Sequence, residues 1–354
     1  MTSIVISKKQ YLECLHLYQG SFNPVKEFMN QEEINSVAKK MILPNKKIFP
    51  LPIFFDVSKK NIKNFESKDT VSLIFNKKEV GFLKPKDIFI CNKTEVAKKV
   101  YGFAENNHLG VKKFYDTGEF FVSGKVKIFK KKEIDFLNLD HTPNKIKKII
   151  KQNKWKTTIG FQTRNIPHLG HEFIHRRMLD KYDGLIINPL VGERKKNDFS
   201  IRAIVKSYKT LINKFYPKKR ILFFLLTTNM RFAGPREAIF HAIVRKNFGC
   251  THFLIGRDHA GVDNFYGDYD AHKLAKKIDK KININIVKFK GPFFCKKCKM
   301  VTNEDNCSHF RDKKSVIEIS GTKIRKSLKD KNFDNCRFLR NEVLNSIKKL
   351  KLFI

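Results

Sequence analysis

Two histidines three positions apart, His168 and His171, stand in the run Gln162-Thr163-Arg164-Asn165-Ile166-Pro167-His168-Leu169-Gly170-His171, which leaves the apolar stretch 157–161. A strand that turns straight into a helix offers free backbone N–H groups and the positive end of the helix dipole, a setting that favours an anion. Two histidines at this offset share one side of the first helical turn, and Gly170 leaves room for a ligand's close approach. A second run, Gly256-Arg257-Asp258-His259-Ala260-Gly261, directly follows the apolar stretch 252–256. A glycine-bounded turn carrying Arg, Asp and His at a strand end can turn a cation and backbone donors towards oxyanions. A third run, Met230-Arg231-Phe232-Ala233-Gly234-Pro235-Arg236-Glu237-Ala238, lies on the loop after 221–226. Gly234 and Pro235 mark a helix start there, while Arg231 and Arg236, taken alone, read as surface salt-bridge formers. In the fourth, Cys295-x2-Cys298-x8-Cys307-x-His309, three thiolates and an imidazole suit tetrahedral zinc. Four ligands leave no open position, so a structural zinc is expected; unliganded reduced thiols are the alternative. Ser320-Gly321-Thr322 ahead of a basic, apolar segment reads as a helix N-cap.

The elements that must position these residues alternate. Strands are expected at 157–161, 184–191, 221–226, 252–256 and 284–287, with helices at about 168–180, 199–214, 235–248 and 269–279. That alternation implies a parallel sheet covered on both faces, with ligands at the carboxyl ends of its strands. Before it, short apolar stretches at 49–56, 71–75, 80–83 and 119–129 read as strands of a β-rich or α+β unit, and 138–153 reads as a connector. The expected fold is thus α/β: a Rossmann-like parallel-sheet domain, a β-rich domain before it and a small domain after it. The boundaries fall at 1–150, 151–310 and 311–354, the last a small C-terminal lid.

Bulk composition narrows the class. No apolar run approaches the roughly 20 residues a membrane helix needs, and the N-terminus has no signal-peptide pattern, so a cytoplasmic protein with no membrane partner is expected. The 73 basic and 34 acidic residues leave a net charge of +39. The basic residues are spread in pairs and triplets, such as 39–40, 46–47, 130–132 and 195–196, and read first as a solvated basic surface. Of the seven cysteines, Cys14, Cys91, Cys250 and Cys336 lack ligand-like spacing and read as ordinary residues.

Taken together the runs QTRNIPHLGH, MRFAGPREAIFHAIVRKNFG, GRDHAGVDNFYGDYDAH and ISGTKIRKSL resemble the ordered signature blocks of ATP sulfurylases, and 101–127 resembles that family's PUA-like N-terminal domain. The resemblance implies sulfate adenylyltransferase activity: ATP and sulfate give adenosine 5′-phosphosulfate and pyrophosphate by direct attack on the α-phosphate, in either direction. It implies catalytic roles for Thr163, Arg164, Asn165, His168 and His171. It implies ATP binding by Gln162, Arg164, Gly256, Arg257, Asp258, His259 and Val301, and sulfate binding by Arg164 and Ala260. Mg²⁺ would arrive with ATP, Ser320 or Arg325 would close over the phosphates, and the chain would form a homo-oligomer of the short form without a kinase-like domain. Two departures stand out: Ile166-Pro167 replaces a Pro-Met pair, and the loop 192–200 (GERKKNDFS) carries several changed residues. The competing enzyme reading is another His-x-Gly-His nucleotidylyl transferase or a class I aminoacyl-tRNA synthetase. It leaves GRDHAG and MRFAGPREA unexplained. A non-enzymatic RNA-binding protein would leave the Gln162–His171 run unused, so nucleic acid is not expected as a partner.

Overall fold

The computed structural model describes residues 2–67, 69–129, 139, 141–192, 197–330 and 334–354. The lysine clusters at 130–132 and 195–196, positions 138 and 140 of the connector, and positions 193–196 of the 192–200 loop lie outside them.

The N-terminal unit is a five-stranded sheet of β1 (Ser3–Val5), β2 (Phe55–Val57), β3 (Val71–Phe75), β4 (Lys78–Ile90) and β5 (Phe120–Ile128), in the order β1-β3-β4-β5-β2. Asn76 and Lys77, both with positive φ, form the two-residue turn joining β3 to β4, a geometry that matches the twist of the paired strands. Helices α1 (Lys8–Tyr18), α2 (Gln31–Lys40), α3 (Lys63–Glu66), α4 (Lys93–Tyr101) and α5 (Leu109–Tyr115) complete the unit. The expected strand at 49–56 shrinks to β2, because the backbone before it makes isolated bonds rather than a ladder, Phe49 N–H donating to the Met41 carbonyl and Met29 N–H to the Ile53 carbonyl. α1 and α2 each start on a reciprocal capping box, Ser7 with Gln10 and Asn30 with Glu33.

After α6 (Pro143–Gln152) the expected alternation appears. β6 (Thr158–Thr163), β7 (Gly184–Pro189), β8 (Ile221–Phe223), β9 (His252–Ile255) and β10 (Asn285–Lys288) form an all-parallel sheet ordered β10-β9-β6-β7-β8. The intervening helices are α7 (Leu169–Leu179), α8 (Ile201–Phe215), α9 (Gly234–Asn247) and α10 (Asp270–Ile278). From β6 the chain builds outward to β7 and β8 on one side, then returns to place β9 on the other. The crevice above the β6–β9 boundary is therefore the topological switch point where ligands of such sheets bind. A small antiparallel sheet of β11 (Phe293–Cys295), β12 (Met300–Thr302) and β13 (Val316–Glu318) follows, then α11 (Gly321–Lys329) and α12 (Asn341–Ile347).

Helix α9 is buried on nearly every side, as a helix must be when both faces are covered. One face packs on the parallel sheet and the other on the N-terminal unit, and a single apolar cluster runs through both. The two arginines of the third run fasten that junction. Arg231 Nη2 donates to Glu13 at 2.7 Å and its guanidinium lies 4.5 Å from the Phe240 ring centroid. Arg236 Nη1 donates to the Val37 carbonyl at 3.1 Å. Their salt-bridge reading thus holds for Arg231, but both are interior fasteners rather than surface ones. Among the described residues no helix is long and apolar enough to cross a membrane.

Candidate active site

β6 ends at Thr163, and the chain turns through Arg164 and Asn165 before α7 begins. Thr163 Oγ1 accepts from the Asn165 N–H at 3.1 Å, which tightens that turn. His168 occupies the N-cap of α7, its Nδ1 accepting from the His171 N–H at 3.2 Å. The two imidazoles stack with centroids 3.7 Å apart, and Tyr208 Oη lies 3.4 Å from His171 Nδ1. Gly170 fits because an added Cβ would lie 3.0 Å from His168 Nδ1. Burial pushes the His168 pKa down to about 4 and, on the same helix, His175 down to about 3; His171, half-buried, also falls well below its ordinary value through burial and its two histidine neighbours. All three rings are neutral at pH 7 in the free protein.

The turn after β9 lies across the crevice. Asp258 and Ala260 both adopt positive φ, a costly conformation for non-glycine residues that recurs at functional sites. Gly261 is required there, since a Cβ would fall 1.8 Å from Asp258 Oδ1. The Gly234 N–H donates to the Ala260 carbonyl at 3.2 Å, so the third run holds the second in shape.

These elements enclose one cleft of about 340 Å³. It brings together Gln162, Thr163, Arg164, Asn165, His168, His171, Gly256, Arg257, Asp258, His259 and Ala260. It does not include Val301, which sits on β12 and packs against an apolar cluster. Arg164, Arg257 and Lys290 contribute positive charge to the lining, against one carboxylate, Asp258. Arg257 pairs with Glu318 of β13. Ser320 caps α11, while Arg325 of that helix reaches the site, its Nη2 donating to Asn165 Oδ1 at 2.6 Å.

Sequence reasoning passed over Asp198, which accepts from Arg164 Nη2 at 3.3 Å and from Arg325 Nη1 at 3.5 Å. Its position inside the variant 192–200 loop was the available signal. Glu237 and His241 lie beneath the cleft on α9, inside the run MRFAGPREAIFHAIVRKNFG, but sequence reasoning gave neither a role.

The cysteine cluster lies apart from this cleft. Cys295 ends β11, Cys298 follows in the turn, Cys307 caps a short 3₁₀ turn (Ser308–Arg311), and His309 lies within it. The ligand atoms lie within 4.8 Å of one another. Individual separations are 3.4 Å for Cys298 to His309, 3.7 Å for Cys295 to His309 and 3.8 Å for Cys298 to Cys307. A tetrahedron with zinc–sulfur distances of about 2.3 Å has edges of about 3.8 Å, so the four residues fit that ion.

The ATP-sulfurylase family model matches residues 138–350, and the PUA-like domain model matches 1–131. Proteins named sulfate adenylyltransferase are similar along nearly the whole chain. One from Carboxydothermus hydrogenoformans is 37% identical over 97% of this chain and 91% of its own. Another, from Pyrococcus abyssi, is 37% identical over 91% of this chain and 83% of its own. Among solved structures, the hexameric APS kinase from Thiobacillus denitrificans superposes with a TM-score of 0.76 at 17% identity. That match covers 99% of this chain and 63% of the other, and establishes similarity of fold. With these matches spanning both of its units, the chain belongs to the ATP-sulfurylase family.

Proposed function

We propose that the chain is a sulfate adenylyltransferase acting on ATP and sulfate in the cleft between the β6 and β9 turns. The supporting observation is the convergence of two anion-directed turns and three cationic side chains on one crevice at the switch point of a parallel sheet. In this reading a sulfate oxygen attacks the α-phosphorus in line. The S–O–P anhydride of adenosine 5′-phosphosulfate forms as the bond to the β-phosphate bridge oxygen breaks, and pyrophosphate departs with that electron pair. No protein nucleophile is required, so positioning and charge stabilisation carry the reaction.

Arg164 and the Ala260 backbone would hold sulfate. Gln162, Arg164 and residues 256–259 would hold ATP, with Thr163 supporting the turn. Asn165 would bond the α-phosphate, and His168 with His171 would meet the β-phosphate and the departing pyrophosphate. Arg164 is tied to Asp198 in the free protein, so Asp198 orients the guanidinium that sulfate would meet. Mg²⁺ would enter with the nucleotide, held largely by phosphates and water. Zinc on Cys295, Cys298, Cys307 and His309 would be structural, bracing the small sheet whose Glu318 pairs with Arg257. A homo-oligomer is part of the same reading, and sedimentation tests it.

The test is Arg164→Ala. Turnover in either direction should fall by about 10²- to 10³-fold, the scale of losing a main oxyanion contact, while circular dichroism and melting stay those of the parent. Near-parental turnover would remove Arg164 from the sulfate site.

A further inference from the structure

Helix α9 buries three ionisable residues one turn apart, Glu237, His241 and Arg245, each at most 1% exposed. None of them lines the cleft, yet His241 touches two residues that do. Its Nδ1 lies 2.9 Å from Gln162 Nε2 and 3.2 Å from His259 Nε2. Its Nε2 lies 3.3 Å from Glu237 Oε1. Glu237 is itself fixed, Oε1 accepting from the Arg231 N–H at 2.8 Å and Oε2 from the Ala233 N–H at 3.0 Å.

These contacts assign the protons. Burial alone would raise the Glu237 carboxyl, but His241 and Arg231 outweigh it and hold the group ionised. A carboxylate only accepts, so the nitrogen nearest to it, Nε2 at 3.3 Å, carries the ring hydrogen, in a charge–dipole contact rather than an aligned hydrogen bond. Burial keeps His241 neutral despite Glu237, helped by the charge of Arg245 one turn on. A neutral ring has one N–H, so Nδ1 is a lone pair. That one lone pair is shared between the Gln162 amide at 2.9 Å and His259 Nε2 at 3.2 Å, so the His259 nitrogen facing it carries a hydrogen. Gln162 Oε1, buried and without a hydrogen-bond partner, is left as an open acceptor.

We infer that Glu237 and His241 are a positioning pair for the nucleotide site: they hold Gln162 and His259 in place and fix His259 as its Nε2–H tautomer. His259 then meets the nucleotide through Nδ1 as a neutral hydrogen-bond acceptor, not as a cation on phosphate. As an acceptor it calls for an N–H or O–H on the ligand. The adenine amine and the ribose hydroxyls have such groups; phosphate oxygens do not. The inference rests on the ATP-binding role proposed above.

Two readouts test it without turnover. Nitrogen-15 histidine spectra of the whole chain at neutral pH should place the His259 proton on Nε2. Titration calorimetry with Mg·ATP should show His241→Phe weakening binding on the order of tenfold, the scale of one lost hydrogen-bonded contact. His241→Asn, whose Oδ1 takes the Nδ1 position, should recover most of the loss. ITP and the two deoxy forms of ATP then identify the donor read: one should bind parental protein more weakly than ATP, with the gap closing in His241→Phe. A His259 proton on Nδ1 or on both nitrogens, ATP binding unchanged in a folded His241→Phe, or no recovery in His241→Asn would overturn the inference. Should His241→Phe not fold, the spectrum of the parental protein decides. Binding of ATP with the expected tautomer but no sulfate-dependent pyrophosphate release would contradict the proposed reaction alone.

Discussion

At the scale of single residues, the site is a set of neutral imidazoles beside fixed cations. His168 caps α7 through the lone pair on Nδ1, a role only its neutral form can fill. The unfolded chain binds a proton at each such histidine near pH 6.5, whereas the folded chain binds it at about 4 for His168 and about 3 for His175. Between those values the unfolded state holds more protons, so stability rises with pH there. This contribution is complete above pH 6.5 and is lost as pH falls through the folded values, at about 3 kcal/mol for His168 alone. Urea midpoints should therefore drop between pH 6.5 and 4, and His168→Asn, which keeps a capping side chain, should show a shallower slope. Equal slopes would contradict the assignment. Much of this site was legible in the sequence, because the offset of His168 and His171 and the glycines flanking Arg257–Ala260 are local facts. Asp198 and His241 were not, since each acts through partners distant in sequence that only the fold supplies, and Glu237 acts through His241.

At the scale of elements, the alternating strands and helices of the parallel-sheet unit were readable, the buried α9 included, and the helices of the N-terminal unit were not. α8 and α10 show one apolar face each and were placed within two residues of their ends at most. α1 was missed although Ser7 and Gln10 announce it, because its residues 11–17 are all buried and show no helical period. α11 was announced by its Ser320 cap, but α12 was obscure: Arg340 at its start grips the buried Glu172 on α7, a contact no local pattern reports. In the zinc-bound reading proposed above, the cysteine cluster staples the small β11–β13 sheet. Purified protein should carry one zinc per chain by elemental analysis. Its removal by chelator should lower the melting temperature and weaken ATP binding through the Arg257–Glu318 contact. A zinc-free chain with the same melting point would reject the metal.

For the molecule as a whole, the N-terminal unit and the parallel-sheet unit share a core across α9 rather than meeting at a wet seam. Composition suggested separate domains, and the residues that join them, Glu13 with Arg231, lie far apart in the chain. One calorimetric transition is expected, and Glu13→Ala should lower stability by about 3 kcal/mol because it strands a buried guanidinium. Two resolved transitions would contradict a shared core. The +39 charge was plain in the sequence, but its partner-free solvated reading tells nothing about catalysis, which the cleft must carry. The most direct test is pyrophosphate release from Mg·ATP by the purified chain, with and without sulfate. Release that depends on sulfate, with adenosine 5′-phosphosulfate formed in equal amount, is the predicted result; a folded, ATP-binding protein that releases none in its presence would contradict the account.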